Sequence, residues 1–120
     1  MSESFAYDNL LAGCQKDIVQ RPGTVRLGEA FSRGSILGRL TATGKWQEAQ
    51  FSNLSNFSDV GIAVEAIDTT SGETNTTVYI EGEFNENHVI FFYGDTADTW
   101  RETLMTHGLI LRKSVNTSGY

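Results

Sequence analysis

The chain has 120 residues and a formal net charge of −6, with 39% hydrophobic and 20% charged residues, the size and balance of a single domain with one modest core. Nine Lys and Arg stand against fifteen Asp and Glu, and the basic residues are scattered. That excludes a general binder of nucleic acid or of an anionic membrane surface, since both need clustered positive charge.

Residues 1–21 read as an arm. Phe5, Tyr7, Leu10, Leu11, Ile18 and Val19 are spaced without a sustained period of 3.6 or 2. They are too apolar for a plain solvated tail and too irregular to fold alone, a pattern suited to a segment that orders on a partner. Pro22-Gly23 marks the predicted boundary. Residues 24–27 form a short strand candidate stopped by Gly28, and residues 29–33 a connection containing Phe31.

Residues 34–46 are the best-organised stretch. Ile36, Leu37 and Leu40 supply apolar side chains, and Gly34 and Gly38 free the backbone for bends or close approach. Thr41, Ala42 and Thr43 suit an extended backbone, and Gly44 sits in a turn. Residues 46–57 predict a second strand and a polar loop, with Phe51, Leu54 and Phe57 reaching the core. The near-continuous apolar run of residues 60–67 predicts a strand buried on both faces, followed by a solvated loop over residues 68–76.

Residues 77–84 alternate with period two. Val78, Ile80, Gly82 and Phe84 are expected on one face, and Tyr79, Glu81 and Glu83 on the other. Residues 85–87 turn the chain and residues 88–93 are expected to continue as a strand. Gly94 and Asp95 open the one good helix candidate, capped by Asp95 or Thr96. Trp100 and Leu104 share a face, and Gly108 provides the left-handed stop. Residues 109–111 predict a closing strand.

No constellation of catalytic residues survives inspection. Glu81 and Glu83 are neighbours on one strand face, not carboxylates set across a substrate. His88 and His107 lack ligand spacing. Residues 38–45 have one residue too many between the glycines for a phosphate loop, and Trp46 stands where a magnesium-binding Ser or Thr belongs. Cys14 is the single cysteine, so neither an intramolecular disulfide nor a multi-Cys zinc site is available, which fits a reducing cytoplasm. No cofactor is expected. The acidic start lacks a signal-peptide pattern and no apolar run reaches bilayer length. Trp46 and Trp100 read as core residues. Exposed instead, they would support the alternative of a small β-rich carbohydrate- or surface-binding module.

Taken together, Arg33-Gly34-Ser35-Ile36-Leu37-Gly38, Thr41-Ala42-Thr43-Gly44-Lys45, Val60-Gly61-Ile62-Ala63, the stretch from Val78 to Asn85, and Gly94-Asp95-Thr96-Ala97-Asp98-Thr99 followed by a helix and Gly108 resemble the bacteriophage head decoration proteins of the lambda D type. The resemblance spans residues 25–115. It implies a structural, non-enzymatic protein on the outer surface of the virion, made in the host cytoplasm. Its partners would be the major capsid protein and itself, as a homotrimer at three-fold and quasi-three-fold positions of the expanded head, with no nucleic acid and no membrane. It also implies that Phe5, Tyr7, Leu10, Leu11, Ile18 and Val19 form the capsid-binding arm, while Gly34, Leu37, Gly38, Gly44, Gly82, Phe84, Gly94, Asp95, Trp100 and Gly108 carry the structural motifs. The expected fold is mainly β: a single-domain curved sheet or partly open barrel with one short helix near the C-terminus. The expected organisation is a flexible arm over residues 1–22, the β-rich domain over 23–115 and a loose tail over 116–120.

Overall fold

The structure, a computed structural model, describes residues 18–112. Its elements are β1 (Val19–Val25), β2 (Ala30–Phe31), β3 (Ile36–Leu40), β4 (Trp46–Glu48), β5 (Phe57–Ala63), β6 (Ile67–Asp68), β7 (Thr74–Asn85), α1 (Ala97–Thr106) and β8 (Leu109–Arg112). Five strands form a closed ring in the order β1-β4-β3-β5-β7, with β7 returning to β1. β8 adds to β7 in parallel, and β2 and β6 make a separate two-stranded ribbon. The expected mainly β body with one C-terminal helix is what the chain forms, and the ring is closed rather than partly open.

The registers show how closure is reached. Thr74 lies opposite Val25, Val25 beside Trp46, Trp46 opposite Arg39, and Arg39 opposite Asp59. Extending the Ile62–Tyr79 pairing of β5 with β7 brings Asp59 level with Gly82 rather than Thr74. That stagger is the shear a small barrel requires. The β1–β4 seam is narrow: one parallel pair, Val25 and Trp46, backed by the Arg26 N–H donating to the Trp46 carbonyl at 2.9 Å.

Each of the five ring strands sends one fully buried residue into the lumen: Val25, Leu37, Trp46, Ala63 and Val78. The Trp46 indole crosses this space between two glycines. A Cβ on Gly23 would lie 2.4 Å from Trp46 Nε1, and one on Gly61 would lie 3.4 Å from Trp46 Cη2 and 2.4 Å from Val78 Cγ1. Burying an indole removes about 150–250 Å² from water, on the order of 4–6 kcal/mol, so the two glycines are what let the lumen fill. Phe31, Ile67, Ile80 and Phe92 pack at its margin.

The alternate residues of β3, β5 and β7 build a second core outside the barrel. Ile36, Val60, Ile62, Tyr79 and Phe84 are covered by Trp100 and Leu104 of α1 and by Leu109 and Leu111 of β8. Phe51, Leu54 and Phe57, from the 3-10 turn Phe51–Asn56 and the start of β5, pack on the same cluster as expected. Gly38 makes room for the Phe57 ring, which would lie 2.5 Å from an added Cβ.

α1 forms where anticipated. Thr96, not Asp95, is its N-cap, accepting the Thr99 N–H at 3.3 Å. Trp100 and Leu104, one turn apart, are its buried residues. Gly108 at φ +89 ends it, its N–H donating to the Met105 carbonyl at 3.0 Å.

Several expectations are corrected. β1 begins at Val19, so residues 19–22, placed in the arm by the sequence, are paired with β7, and Pro22-Gly23 lies inside the strand. Proline is tolerated because β1 at that level pairs with β7 alone and is an edge. Thr41, Ala42 and Thr43 turn instead of extending, and Gly44 at φ +75 closes the β3–β4 hairpin by donating to the Leu40 carbonyl at 2.7 Å. The run 60–67 splits, because β5 ends at Ala63 and Ile67 leaves to pair with Phe31.

Residues 88–93 are no strand. Ile90 makes one isolated bridge with Ser35, and left-handed Tyr93 (φ 59) and Gly94 (φ 84) redirect the chain toward α1. β7 starts at Thr74, inside the anticipated loop. Its alternation breaks at a bulge: Val19 opposes Glu81 and Gln20 opposes Tyr79, leaving Ile80 as the extra residue, and Gly82 takes φ +147. Phe84 therefore joins the face of Tyr79 rather than that of Val78 and Ile80, and Glu83 is buried instead of solvated.

Candidate functional site

The described part of the chain starts beside the end of β7. Val19 opposes Glu81, the next β7 residue Gly82 pairs with Leu109, the first residue of β8, and the Gly82 N–H donates to the Gly108 carbonyl at 3.0 Å. Ile18 is half-buried on the outer core, and its Cγ1 would lie 3.3 Å from a Cβ on Gly82. A Cβ on Gly108 would meet Glu81 Cγ at 3.0 Å. The bulge and two positive-φ glycines thus bring the start of β1, the end of α1 and the start of β8 together.

β8 runs from there to Arg112, opposite Asn85. The Arg112 guanidinium donates from Nε to Glu83 Oε1 at 3.1 Å, pairing a carboxylate whose side chain is 8% exposed. Arg101 of α1 contacts both Asp98 and Glu86 at 2.9 Å. Both ends of the described chain, residues 18 and 112, therefore leave from the same stretch of β7, residues 81–85.

Of the residues assigned to the arm, Phe5, Tyr7, Leu10 and Leu11 lie outside the described residues. Ile18 and Val19 lie at its root, as above. The motif residues do not gather into one site, and each solves a local problem. Gly34 at φ +92 donates to the Ala63 carbonyl and accepts from the Ile90 N–H, both at 2.9 Å. Leu37 fills the lumen and Phe84 the outer core. Asp95 ties two elements, its Oδ2 accepting the Phe51 N–H at 2.7 Å and Trp100 Nε1–H at 3.1 Å, under an edge-on Phe51–Trp100 ring contact.

Sequence reasoning missed Gly23 and Gly61 as packing glycines. The available signal was Gly61 inside an apolar strand, where a missing side chain marks close approach. It also missed the cluster under the β2–β6 ribbon. Buried Thr69 donates its hydroxyl to the Arg26 carbonyl at 2.6 Å and accepts the Glu29 N–H at 2.8 Å. Buried Glu29 accepts from Arg26 Nη2 at 3.0 Å and from the Glu48 N–H at 2.9 Å. Glu48 is half-buried beside it, and its carboxyl is pushed above the usual range by burial first and by the Glu29 charge second, with the nearby Tyr93 hydroxyl opposing.

Among the described residues, no cluster of three or more His, Cys, Asp or Glu side chains could hold a metal, and no helix is long and apolar enough to cross a membrane. Trp46 and Trp100 are 1% and 0% exposed, so the sugar-binding alternative loses the aromatic faces on which it depended.

Residues 1–109 match the family model of the bacteriophage lambda head decoration protein D. The chain belongs to that family. A search of the curated proteins returns no match. For a head decoration protein the layout makes physical sense. The family match includes residues 1–17, which directly precede Ile18, the residue packed on the outer core beside Gly82.

Proposed function

We propose that this decoration protein sits as trimers at the three-fold and quasi-three-fold positions on the outside of the expanded phage head, and that residues 1–17 order against the major capsid protein while the barrel stays rigid. The observation that carries the reading is the family match over residues 1–109. The first and last described residues, 18 and 112, both lie beside residues 81–85 of β7, which supports an arm presented from that edge of the body.

In this reading the organisation is an arm, a β-rich body and a tail, with the paired part of the chain beginning at Val19. Ordering the arm costs about 1–2 kcal/mol per residue. Added-strand hydrogen bonds and pockets for Phe5, Tyr7, Leu10 and Leu11 offset that cost, and three arms on one trimer add avidity. A ligand that binds only the expanded lattice stabilises it by linkage. No catalytic step is required.

The test is co-sedimentation of the purified protein with expanded and with unexpanded heads, alongside a variant lacking residues 1–17. The full chain should bind expanded heads only, and the shortened chain should keep its melting transition and lose binding. Normal binding by the shortened chain refutes the arm's role. Indifference of the full chain to expanded heads refutes the function.

A further inference from the structure

Tyr93 is the one non-glycine residue with positive φ among the described residues, at 59°. A bulky side chain in a backbone region that favours glycine and asparagine is an outlier that calls for a holding contact. Both ends of its loop are pinned. The Ile90 N–H donates to the Gly34 carbonyl at 2.9 Å and the Ile90 carbonyl accepts the Ile36 N–H at 3.0 Å, while Asp95 accepts the Phe51 N–H at 2.7 Å. Between them, Phe92 packs on the lumen core, its ring centroid 6.3 Å from that of Tyr93. The Tyr93 hydroxyl hydrogen-bonds the Glu48 carboxyl.

Glu48 stands at the mouth of the barrel. It is two residues beyond Trp46 on β4 and opposite Leu37 on β3, so it shares the face of both lumen residues. Its N–H donates to Glu29 Oε1 at 2.9 Å, and Glu29 Oε2 accepts from Arg26 Nη2 at 3.0 Å. The cluster thus sets one guanidinium against two carboxylates. The other charged side chains of the neighbouring elements are engaged elsewhere: Arg39 with Asp59, Lys45 with Glu73, Asp68 with Thr70, and Asp95 with Phe51 and Trp100. Burial and the Glu29 charge raise the Glu48 carboxyl above the usual range, and the Tyr93 O–H opposes them by bonding its charged form.

We propose that Glu48 is a pH-sensitive latch: ionised, it holds the Tyr93 loop over the mouth of the barrel, and protonated, it lets residues 91–94 loosen while the barrel below stays closed. A hydrogen bond to a charged acceptor is roughly twice as strong as one to a neutral acceptor. Protonation removes the charge to which Tyr93 is bonded and, in the same step, the repulsion between Glu48 and Glu29. The proton is therefore taken up readily, and the loop loses the contact that holds its unfavourable backbone. Because the Glu48 carboxyl titrates above the usual range, release comes at a higher pH than an ordinary carboxylate would set. The device lies within one chain and depends on neither the arm nor the trimer.

NMR of the full chain between pH 7 and pH 4 tests the latch. It follows the Glu48 carboxyl carbon, the Tyr93 Cα shift, which reports φ, and the backbone order of residues 91–94. In the natural chain the Tyr93 shift should move away from its left-handed value with the same midpoint as the Glu48 carboxyl. Order parameters of residues 91–94 should fall from about 0.85 to about 0.6 or below, with those of β3 and β5 unchanged. Glu48→Gln keeps only a neutral acceptor and Tyr93→Phe removes the donor, so each should show the loosened loop already at pH 7 and no further change on acidification. A natural chain whose loop signals stay constant across the Glu48 titration overturns the proposal, and this measurement depends on no variant. A pH response that persists in Glu48→Gln overturns it too, since another group then carries the change, as does a Tyr93→Phe chain that behaves like the natural one.

Discussion

Adding one methyl group to Gly61 tests the filled-lumen architecture most directly. An ideal Cβ there would lie 2.4 Å from Val78 Cγ1 and 2.8 Å from the Tyr79 carbonyl oxygen, with Trp46 Cη2 at 3.4 Å. The valine methyl can yield only by displacing a close-packed lumen, and the carbonyl belongs to the β7 backbone beside the β5–β7 pairing. Overpacking of this kind costs about 1–3 kcal/mol. Gly61 has no positive φ, so alanine is not strained there, and reduced freedom of the unfolded chain returns about 0.4–1 kcal/mol. The expected net loss for Gly61→Ala is about 1–2 kcal/mol by urea denaturation, or a melting temperature lower by roughly 4–8 °C.

Gly72→Ala is the control. Nothing lies within 4 Å of its Cβ position and its φ is not positive, so it should be neutral or gain up to about 1 kcal/mol. Combining Gly61→Ala with Val78→Ala relieves one clash and leaves the carbonyl contact. The two changes should therefore be non-additive, with a coupling of about 0.5 kcal/mol or more. Gly61→Ala within about 0.3 kcal/mol of the natural chain, or strict additivity of the pair, would show that the lumen is not packed as described.

Trp100→Ala should cost about 3–5 kcal/mol, because the ring is fully buried under α1; a loss below 1 kcal/mol in the same denaturation assay would contradict that placement. Asp95→Ala removes the acceptor shared by the Phe51 N–H and Trp100 Nε1–H and should cost about 2–3 kcal/mol; a Thr96→Ala change, losing only the cap, should cost about 1 kcal/mol. The pH dependence of Glu48 has a defined sign. Its carboxyl is raised in the folded state, so its favourable contribution is present at low pH and fades as pH rises through that folded-state value. Glu48→Gln should then be at least as stable as the natural chain at pH 7, with the difference closing toward pH 4; a variant destabilised more at pH 7 than at pH 4 would reverse the assignment.

Some of this protein was written locally and could be read locally. α1 was legible because its cap, its one-turn Trp100–Leu104 pair and its stop at Gly108 lie within a dozen residues, and such signals act through neighbouring backbone groups. The resemblance to head decoration proteins was legible for the same reason, since motifs are strings. The barrel was not. Its closure depends on pairing Val19–Val25 with Thr74–Asn85, two segments far apart in the chain, and no local preference records which strand will lie beside which.

The misreadings follow from that. Pro22-Gly23 looks like a boundary in sequence, but tertiary pairing makes the proline an edge residue and gives Gly23 to the Trp46 indole. Period two in β7 predicts one set of faces until a bulge against β1 shifts the pattern and buries Glu83 with Arg112. Composition and local pattern determined that the chain is a small, glycine-punctuated β protein. Only the closed fold decided what the glycines make room for, how the first strand is paired and which side chains are left exposed, because close packing and strand register are properties of segments distant in sequence and adjacent in space.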